Sequence, residues 1–402
     1  MDSTTPLTFY LVVNSFLNKE TGEPVLGGTE TYTASLVALA AGRHGRTVVL
    51  QRSGNFINER VSSTLTVHSW KTVAELRRKL ADLRRIEKGI VFLYEAIFIP
   101  EASELPCVLV HHGIGSDGTA DPPNRPSLLV KLADLRRRCR WYMDAVSLFR
   151  IYSAFTRVIC VDTNIINQMR YCHPMYDWSR HLVYVPNFSR ISPEANIRRK
   201  WEKFVPGAGV VLFARRFVIQ RGFYLWTDCV RSLAERFPNS EFRFVGYGEG
   251  EKSIKSVAAR HSNIKVYPQS QIQMQREHEE AHIEVVPSLW SEGTSLSCIE
   301  AMAAGCAVVC SDVGGLGNLV IPEYNGYILP PNPAAFTRTV SALLEAPNLP
   351  KAVATRAYDT ARVSFSQEAW TERIWEVIRE AVNSPFAALP SRRLQPSIAG
   401  ES

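Results

Sequence analysis

The sequence predicts an α/β protein built as two Rossmann-like, doubly wound domains with a cleft between them. Three observations carry that expectation. Short apolar runs of strand length alternate with helical stretches along most of the chain, the pattern of parallel α/β layers. The alternation stops after Pro186-Asn187, crosses a polar segment over 188–208, and begins again. The length of 402 residues also asks for more than one domain, since about 150 residues per domain gives two or three.

Taken in order, the first series has strands expected at 8–13, 47–51, 64–68, 89–94, 107–111, 157–161 and 182–186. Helical patterns fall between them at 29–41, 71–87, 127–154 and 163–171. The charged stretch 188–208, bracketed by Pro193 and Pro206-Gly207, reads as a linker. The second series has strands at 209–214, 241–246, 264–267, 282–286, 306–310 and 326–329, with helices near 222–236, 250–260, 295–304 and 333–345. The expected units are 1–190, 191–365, a last helix over 366–383, and a disordered Pro/Ser/Ala-rich tail from 384 to 402. In such folds ligands bind at the carboxyl ends of the strands, here the interdomain cleft.

Composition excludes several classes. Uncharged runs such as Thr31–Gly42 reach only about a dozen residues, whereas a membrane-spanning helix needs about 20. Asp2 and the lack of a basic leading segment make Phe9–Val13 read as a first strand, not a signal peptide. The eight cysteines contain no C-x-x-C pair, so they read as buried thiols in a reducing, cytoplasmic setting. The net charge of +7 is concentrated: 71–88 holds seven basic and three acidic residues, and 125–157 holds eight and two.

Residues 285–320 are the most informative stretch. Val285-Val286 end a strand, and Pro287–Glu292 form a loop. A helix opens at Gly293-Thr294-Ser295-Leu296 and runs to Gly305. Thr294 or Ser295 suits the N-cap and Gly305 the C-terminal cap. A buried strand, Cys306–Cys310, and the turn Asp312-Val313-Gly314-Gly315 follow. Backbone N–H groups at Thr294–Ser297 are expected to face the cleft and suit a phosphate, because a helix N-terminus carries about half a positive charge. Glu292 precedes the helix and Glu300 lies within it. Two acids around a phosphate-binding helix end fit a nucleotide sugar, one acid for the ribose and one for the sugar.

The motif Glu292-x7-Glu300, set in E-G-x-x-L-x-x-x-E-A-M-A-x-G and followed by V-V-x-S-D-V-G-G, resembles the C-terminal signature of GT-B glycosyltransferases. More narrowly it is similar to the retaining, GT4-like group. Other segments fall in the matching order. Val210–Arg216 and Gln220–Phe223 resemble the family's diphosphate-clamping segment, with Arg215 in the arginine position, Arg221 where lysine is usual, and Ala214 where glycine is usual. Arginine keeps the charge and can fork onto a phosphate. Gly27-Gly28-Thr29-Glu30 resembles the G-G-x-E loop that faces donor and acceptor, and Phe242–Gly250 the V-G-x-G turn. Val108–Gly113 places His111 and His112 at a strand end where the family has a sugar-contacting histidine; the H-G pairing favours His112. Tyr184–Asn187 resembles the I-P-N stretch at the crossover. Two departures stand out: Asn318 occurs where glutamate is frequent, and Gln269–Glu280 is unusually polar.

The resemblance implies a hexosyltransferase using a nucleotide-sugar donor. Glu292 would hold the transferred sugar and Glu300 the ribose. Arg215 and Arg221 would clamp the diphosphate beside Gly28, Gly293, Thr294, Ser295 and Leu296, and Gly27, His111 and His112 would meet the sugar or acceptor. With no D-x-D pair, no metal or other cofactor is expected. The implied reaction retains anomeric configuration, the acceptor entering on the face the diphosphate leaves. A glycan or lipid-linked acceptor, in cell-envelope or polysaccharide biosynthesis, fits the basic segments. In 125–157, Leu128, Leu129, Leu132 and Leu135 alternate with basic residues ahead of Trp141-Tyr142, which suits peripheral contact with an anionic membrane, at its cytoplasmic face. Nucleic acid is not an expected partner, since no binding motif accompanies the charge. The competing readings are a nucleotide-sugar epimerase of the same fold and a catalytically silent scaffold.

Overall fold

The computed structural model describes residues 7–18, 28–52, 58–86, 89–93, 106–113, 148–149, 151–268 and 271–383. Gly27, most of the basic segment 125–157, Gln269 and the tail 384–402 lie outside the described residues. The first sheet contains β1 (Thr8–Val13), β2 (Arg46–Arg52), β3 (Asn58–Arg60), β4 (Leu65–Trp70), β5 (Gly89–Leu93), β6 (Cys107–His111), β7 (Arg157–Cys160) and β8 (Leu182–Tyr184). Their spatial order is β3-β4-β2-β1-β5-β6-β7-β8. All neighbours are parallel except the short edge pair β3–β4. The second sheet contains β9 (Val210–Ala214), β10 (Glu241–Val245), β11 (Ile264–Tyr267), β12 (Ile283–Val286), β13 (Ala307–Ser311) and β14 (Tyr327–Leu329), all parallel, in the order β11-β10-β9-β12-β13-β14.

Helices cover both faces of each sheet, which is why the strands read as near-continuous apolar runs. In β9, Val211 and Phe213 enter one core and Leu212 and Ala214 the other, as the two-residue period of a strand requires. The first core lies under α5 (Phe223–Arg236), α6 (Glu251–Ala258) and α9 (Pro333–Glu345) and holds the ring cluster Phe213, Phe217, Phe223 and Phe244. The second packs against α8 (Leu296–Ala303) and α10 (Leu349–Ser364).

In the first domain, α1 (Gly28–Gly42), α2 (Val73–Ile86) and α3 (Asn164–Cys172) join a helix supplied from the far end of the chain. That helix, α11 (Gln367–Asn383), buries Trp370, Ile374, Val377, Ile378 and Ala381 in the same core as Phe9, Leu11 and Tyr32. The 3–4 residue spacing of these positions forms one apolar stripe. Ion pairs Arg43–Glu372 and Arg157–Glu380 flank it. The chain therefore crosses between the domains twice, and the crossings touch: Ser189 N–H donates to Phe365 O at 2.9 Å.

Three helical segments differ from the sequence expectation. The expected linker contains α4 (Glu194–Glu202), whose only inward positions are Ile197, Lys200 and Trp201. So few apolar residues leave little periodic signal. The polar stretch after β11 forms α7 (Gln271–Glu280), with ion pairs from Arg276 and Arg243 to Glu280 on its outer side and His278 within. α10 has no counterpart in the sequence reading either; half of its buried positions are alanine, which adds little to a periodic apolar signal.

Candidate active site

The carboxyl ends of β9 and β12 bring one set of polar side chains together. Arg215 follows β9, and a short 3-10 turn, Ile219–Arg221, leads to Gly222. Gly222 has φ +71°, and a Cβ there would sit 1.6 Å from Pro287 O, so only glycine permits this approach to the loop after β12. Leu289 N–H bonds to Gln220 O at 3.0 Å across the same contact. The two loops thus meet, and Arg215, Arg221 and Ser288 converge on Glu292. Arg215 Nη2 lies 2.5 Å and Arg221 Nη1 2.8 Å from Glu292 Oε1. Ser288 Oγ donates to the same oxygen and accepts from Arg215 Nη1 at 2.5 Å.

Burial alone would raise the Glu292 carboxyl. The two guanidinium groups and the Ser288 hydroxyl outweigh it and hold the carboxyl down at about 2. Arg215 and Glu292 are almost wholly enclosed, at 6% and 5% side-chain exposure, whereas Arg221 keeps 31%. Arg221 is therefore the more accessible cation, and Arg215 is committed to Glu292 and Ser288.

Next to this cluster, α8 opens at Ser295, which holds the N-cap position without a capping hydrogen bond from its side chain. Of the two N-cap candidates, Thr294 or Ser295, the position falls to Ser295. Thr294 instead joins the domains: its hydroxyl donates to Val161 O at 3.0 Å and accepts from Asn187 N–H at 2.9 Å. The Asn187 amide donates to Thr294 O at 2.7 Å. Thr163 N–H donates to Asn318 Oδ1 at 3.0 Å, and Asn318 Nδ2 donates to Thr163 Oγ1 at 2.8 Å. Between these two pairs the backbones touch, since a Cβ on Gly293 would lie 2.7 Å from His112 O.

His111 and His112 leave β6 on opposite faces. His111 stands edge-on to Tyr152, and its Nδ1 accepts from Gly113 N–H at 3.3 Å. His112 stands edge-on to Tyr32 of α1, the helix that begins at Gly28. Burial pushes both imidazoles down to about 4, so both are neutral at pH 7. Leu296 reaches across to Gly28, where an added Cβ would lie 3.1 Å from Leu296 Cδ1. Glu300, four residues on, shares that helix face. It is about 35% exposed, and its Oε2 lies 3.5 Å from Nε2 of the buried His278. His278 Nδ1 lies 3.2 Å from Glu284 Oε2. Burial would lower the His278 imidazole; the carboxylates of Glu284 and Glu300 hold it well above its ordinary value.

The predicted residues Arg215, Arg221, Glu292, Gly293, Thr294, Ser295, Leu296 and Glu300 thus line one edge of the second sheet. Gly28 and His112 approach that edge from the first domain, and His111 points away from Tyr32's side. Sequence reasoning missed Ser288, Thr163 and His278 in this arrangement. In the sequence, Asn187 stands only as a motif position and Asn318 only as a departure. Among the described residues no group of three or more His, Cys, Asp or Glu side chains could hold a metal ion.

Residues 195–360 match the family described as Glycosyl transferases group 1. The second domain belongs to that family. Among curated relatives, an uncharacterized glycosyltransferase of Methanocaldococcus jannaschii is 27% identical over 143 residues, 35% of this chain and 36% of that protein. The amylovoran biosynthesis glycosyltransferase AmsK of Erwinia amylovora is 26% identical over 182 residues, 42% of this chain and 44% of AmsK. The chain therefore spans less than half the length of these relatives. Likeness in fold extends further. Sucrose-phosphate synthase from Thermosynechococcus elongatus superposes with a TM-score of 0.69 at 16% identity, covering 93% of this chain and 98% of that one. Anabaena HepE in complex with UDP gives 0.68 at 14% identity, covering 93% and 100%. The group 1 domain and its partner make up a GT-B fold, as the motifs implied.

Proposed function

We propose that this protein is a retaining, GT4-like hexosyltransferase that moves a hexose from a nucleotide-sugar donor to a glycan or lipid-linked acceptor, in cell-envelope or polysaccharide biosynthesis. The observation that carries this is the convergence of Arg215, Arg221 and Ser288 on Glu292 beside the N-terminus of α8. The net positive charge left by two guanidinium groups around one carboxylate, reached through the accessible Arg221, and the helix end supply positive potential for a departing diphosphate without a divalent ion. Glu292 stays ionised at any working pH, so it accepts hydrogen bonds from the transferred sugar and does not serve as a proton donor. His112 is neutral and on the Gly28 side of β6, which suits a hydrogen bond to a sugar hydroxyl. The remaining contribution is to hold acceptor and donor in reacting geometry.

Relatives support the substrate class. HepE was solved with UDP and with UDP-glucose, and AmsK is named for amylovoran biosynthesis. Among the described residues no helix is long and apolar enough to cross a membrane. We place the enzyme at the cytoplasmic face of a membrane as a peripheral protein. The exposed Arg77 and Arg78 of α2 support that reading, together with the basic composition of 125–157.

The test is a thermal-shift panel of UDP-, GDP-, ADP-, CMP- and dTDP-sugars. A ligand at 100 times its Kd stabilises by about 2.7 kcal/mol. Stabilisation by one nucleotide series is expected, and Arg221→Ala should abolish it. An absence of stabilisation by every donor would overturn the proposal.

A further inference from the structure

The donor-site reading leaves one buried polar group without a task. His278 and Glu284 have side-chain exposures of 2% and 0%. They sit beside the buried thiols Cys298 and Cys306, which belong to the apolar layer under α8. Apolar residues of similar volume often stabilise such a position as well as an ion pair does, so folding alone gives little reason for the pair. Its geometry gives another. Glu284 holds Nδ1 from behind at 3.2 Å, and Nε2 looks outward to the Glu300 carboxylate at 3.5 Å. Nε2 makes no aligned hydrogen bond among the described residues and is left with Glu300 Oε2 3.5 Å away. The backbone under the ring is fixed as well: His278 O accepts from Lys200 Nζ at 3.4 Å and from Cys306 Sγ at 3.1 Å. Glu300 is the only member of the three that reaches solvent, and it does so on the Leu296 face of α8.

We propose that His278 is a positioning residue for the donor's ribose: anchored by Glu284, its imidazole holds one oxygen of Glu300 and leaves the other to accept the ribose hydroxyls. The inference rests on the nucleotide-sugar reading and deepens it. A glutamate on a helix surface loses side-chain freedom when it binds a hydroxyl. Fixing it beforehand removes that part of the cost. His278 touches no ligand atom, so its effect belongs to affinity and not to the chemical step.

The experiment uses the full chain and calorimetric binding of UDP, GDP, ADP and CDP, followed by the 2′,3′-dideoxy counterpart of the best binder. His278→Gln should weaken the ribonucleotide about tenfold, within the range of a hydrogen bond to a charged group, and leave the dideoxy nucleotide within about twofold. On a Glu300→Gln background the same change should add nothing. With the matching sugar donor, KM should rise while kcat holds. Glu284→Gln, which withdraws the anchor but keeps the ring, is read in the same way and covers a folding defect in His278→Gln. Equal weakening of both nucleotides, or none, would overturn the inference while leaving the donor site standing. A wild-type protein that binds no nucleoside diphosphate would overturn both.

Discussion

Glu292 is the residue on which most of the site's electrostatics meet. Its carboxylate is shared by Arg215, Arg221 and Ser288, and its carboxyl is held at about 2 against an ordinary 4.5. The folded value is the lower one, so the stability it contributes is full above pH ~5 and is lost as pH falls toward 2. Each pKa unit is worth about 1.36 kcal/mol, so the contribution is on the order of 3 kcal/mol. Denaturant melts of wild type and Glu292→Gln between pH 7 and 3 should therefore converge as pH falls. Curves that stay parallel would show that the arginines do not stabilise this carboxylate. The convergence was only partly legible in the sequence. Arg215, Arg221 and Glu292 were recognisable from their motifs, but their mutual pairing joins residues more than seventy positions apart. Ser288 carried no signal at all, being one serine in a loop.

At the scale of elements, α8 is set by what surrounds its ends. Its C-terminal carbonyls are covered by the linker helix: Lys200 Nζ donates to Ala304 O at 2.6 Å and Trp201 Nε1 to Gly305 O at 3.0 Å. Those bonds satisfy groups that every helix end leaves open. The opposite side of the site depends on Gly222, where the loops carrying Arg221 and Ser288 touch. Gly222→Ala places a methyl inside Pro287 O and forces a left-handed backbone on alanine. It should cost at least about 3 kcal/mol in urea unfolding. A loss below about 1 kcal/mol would mean that the two loops are free to separate. α8 itself was legible from its spacing and its glycine stop. The helices α4 and α7 were not, because much of their surface is satisfied by charge pairs instead of an apolar stripe.

For the whole molecule, the question is what holds the two sheets in register. Thr294 and Asn318 of the second domain bond to Val161, Asn187 and Thr163 on the first. The crossings at Ser189 and Phe365 lie together, and α11 returns to the first core. The contacts at Thr294 and Asn318 form a small latch whose bonds contribute about 1 kcal/mol each. Thr294→Val combined with Asn318→Ala should leave both cores intact. Small-angle scattering should show a larger radius of gyration than wild type, while the thermal midpoint falls by only a few degrees. An unchanged radius would show that the crossings and α11 alone fix the domain arrangement. Asn318, which departs from the family's frequent glutamate, gains a physical account here, since a neutral amide can donate and accept toward Thr163 in one geometry.

The sequence by itself determined the class of fold, the positions along the chain of most strands in each domain, and the stretch that carries the site. Those properties are written locally: buried parallel strands need continuous apolar runs, helix ends need particular residues, and a charged loop beside a helix N-terminus is recognisable within about thirty-five positions. Only the tertiary structure decided which side chains share a carboxylate, that Thr294 serves the domain interface, that His112 and not His111 faces Tyr32, and that His278 stands behind Glu300. Each of these depends on groups brought together from separate elements. Pairing across such distances leaves no periodic trace, because a single buried polar residue looks the same in sequence whether its partner is a carboxylate, a carbonyl or another domain.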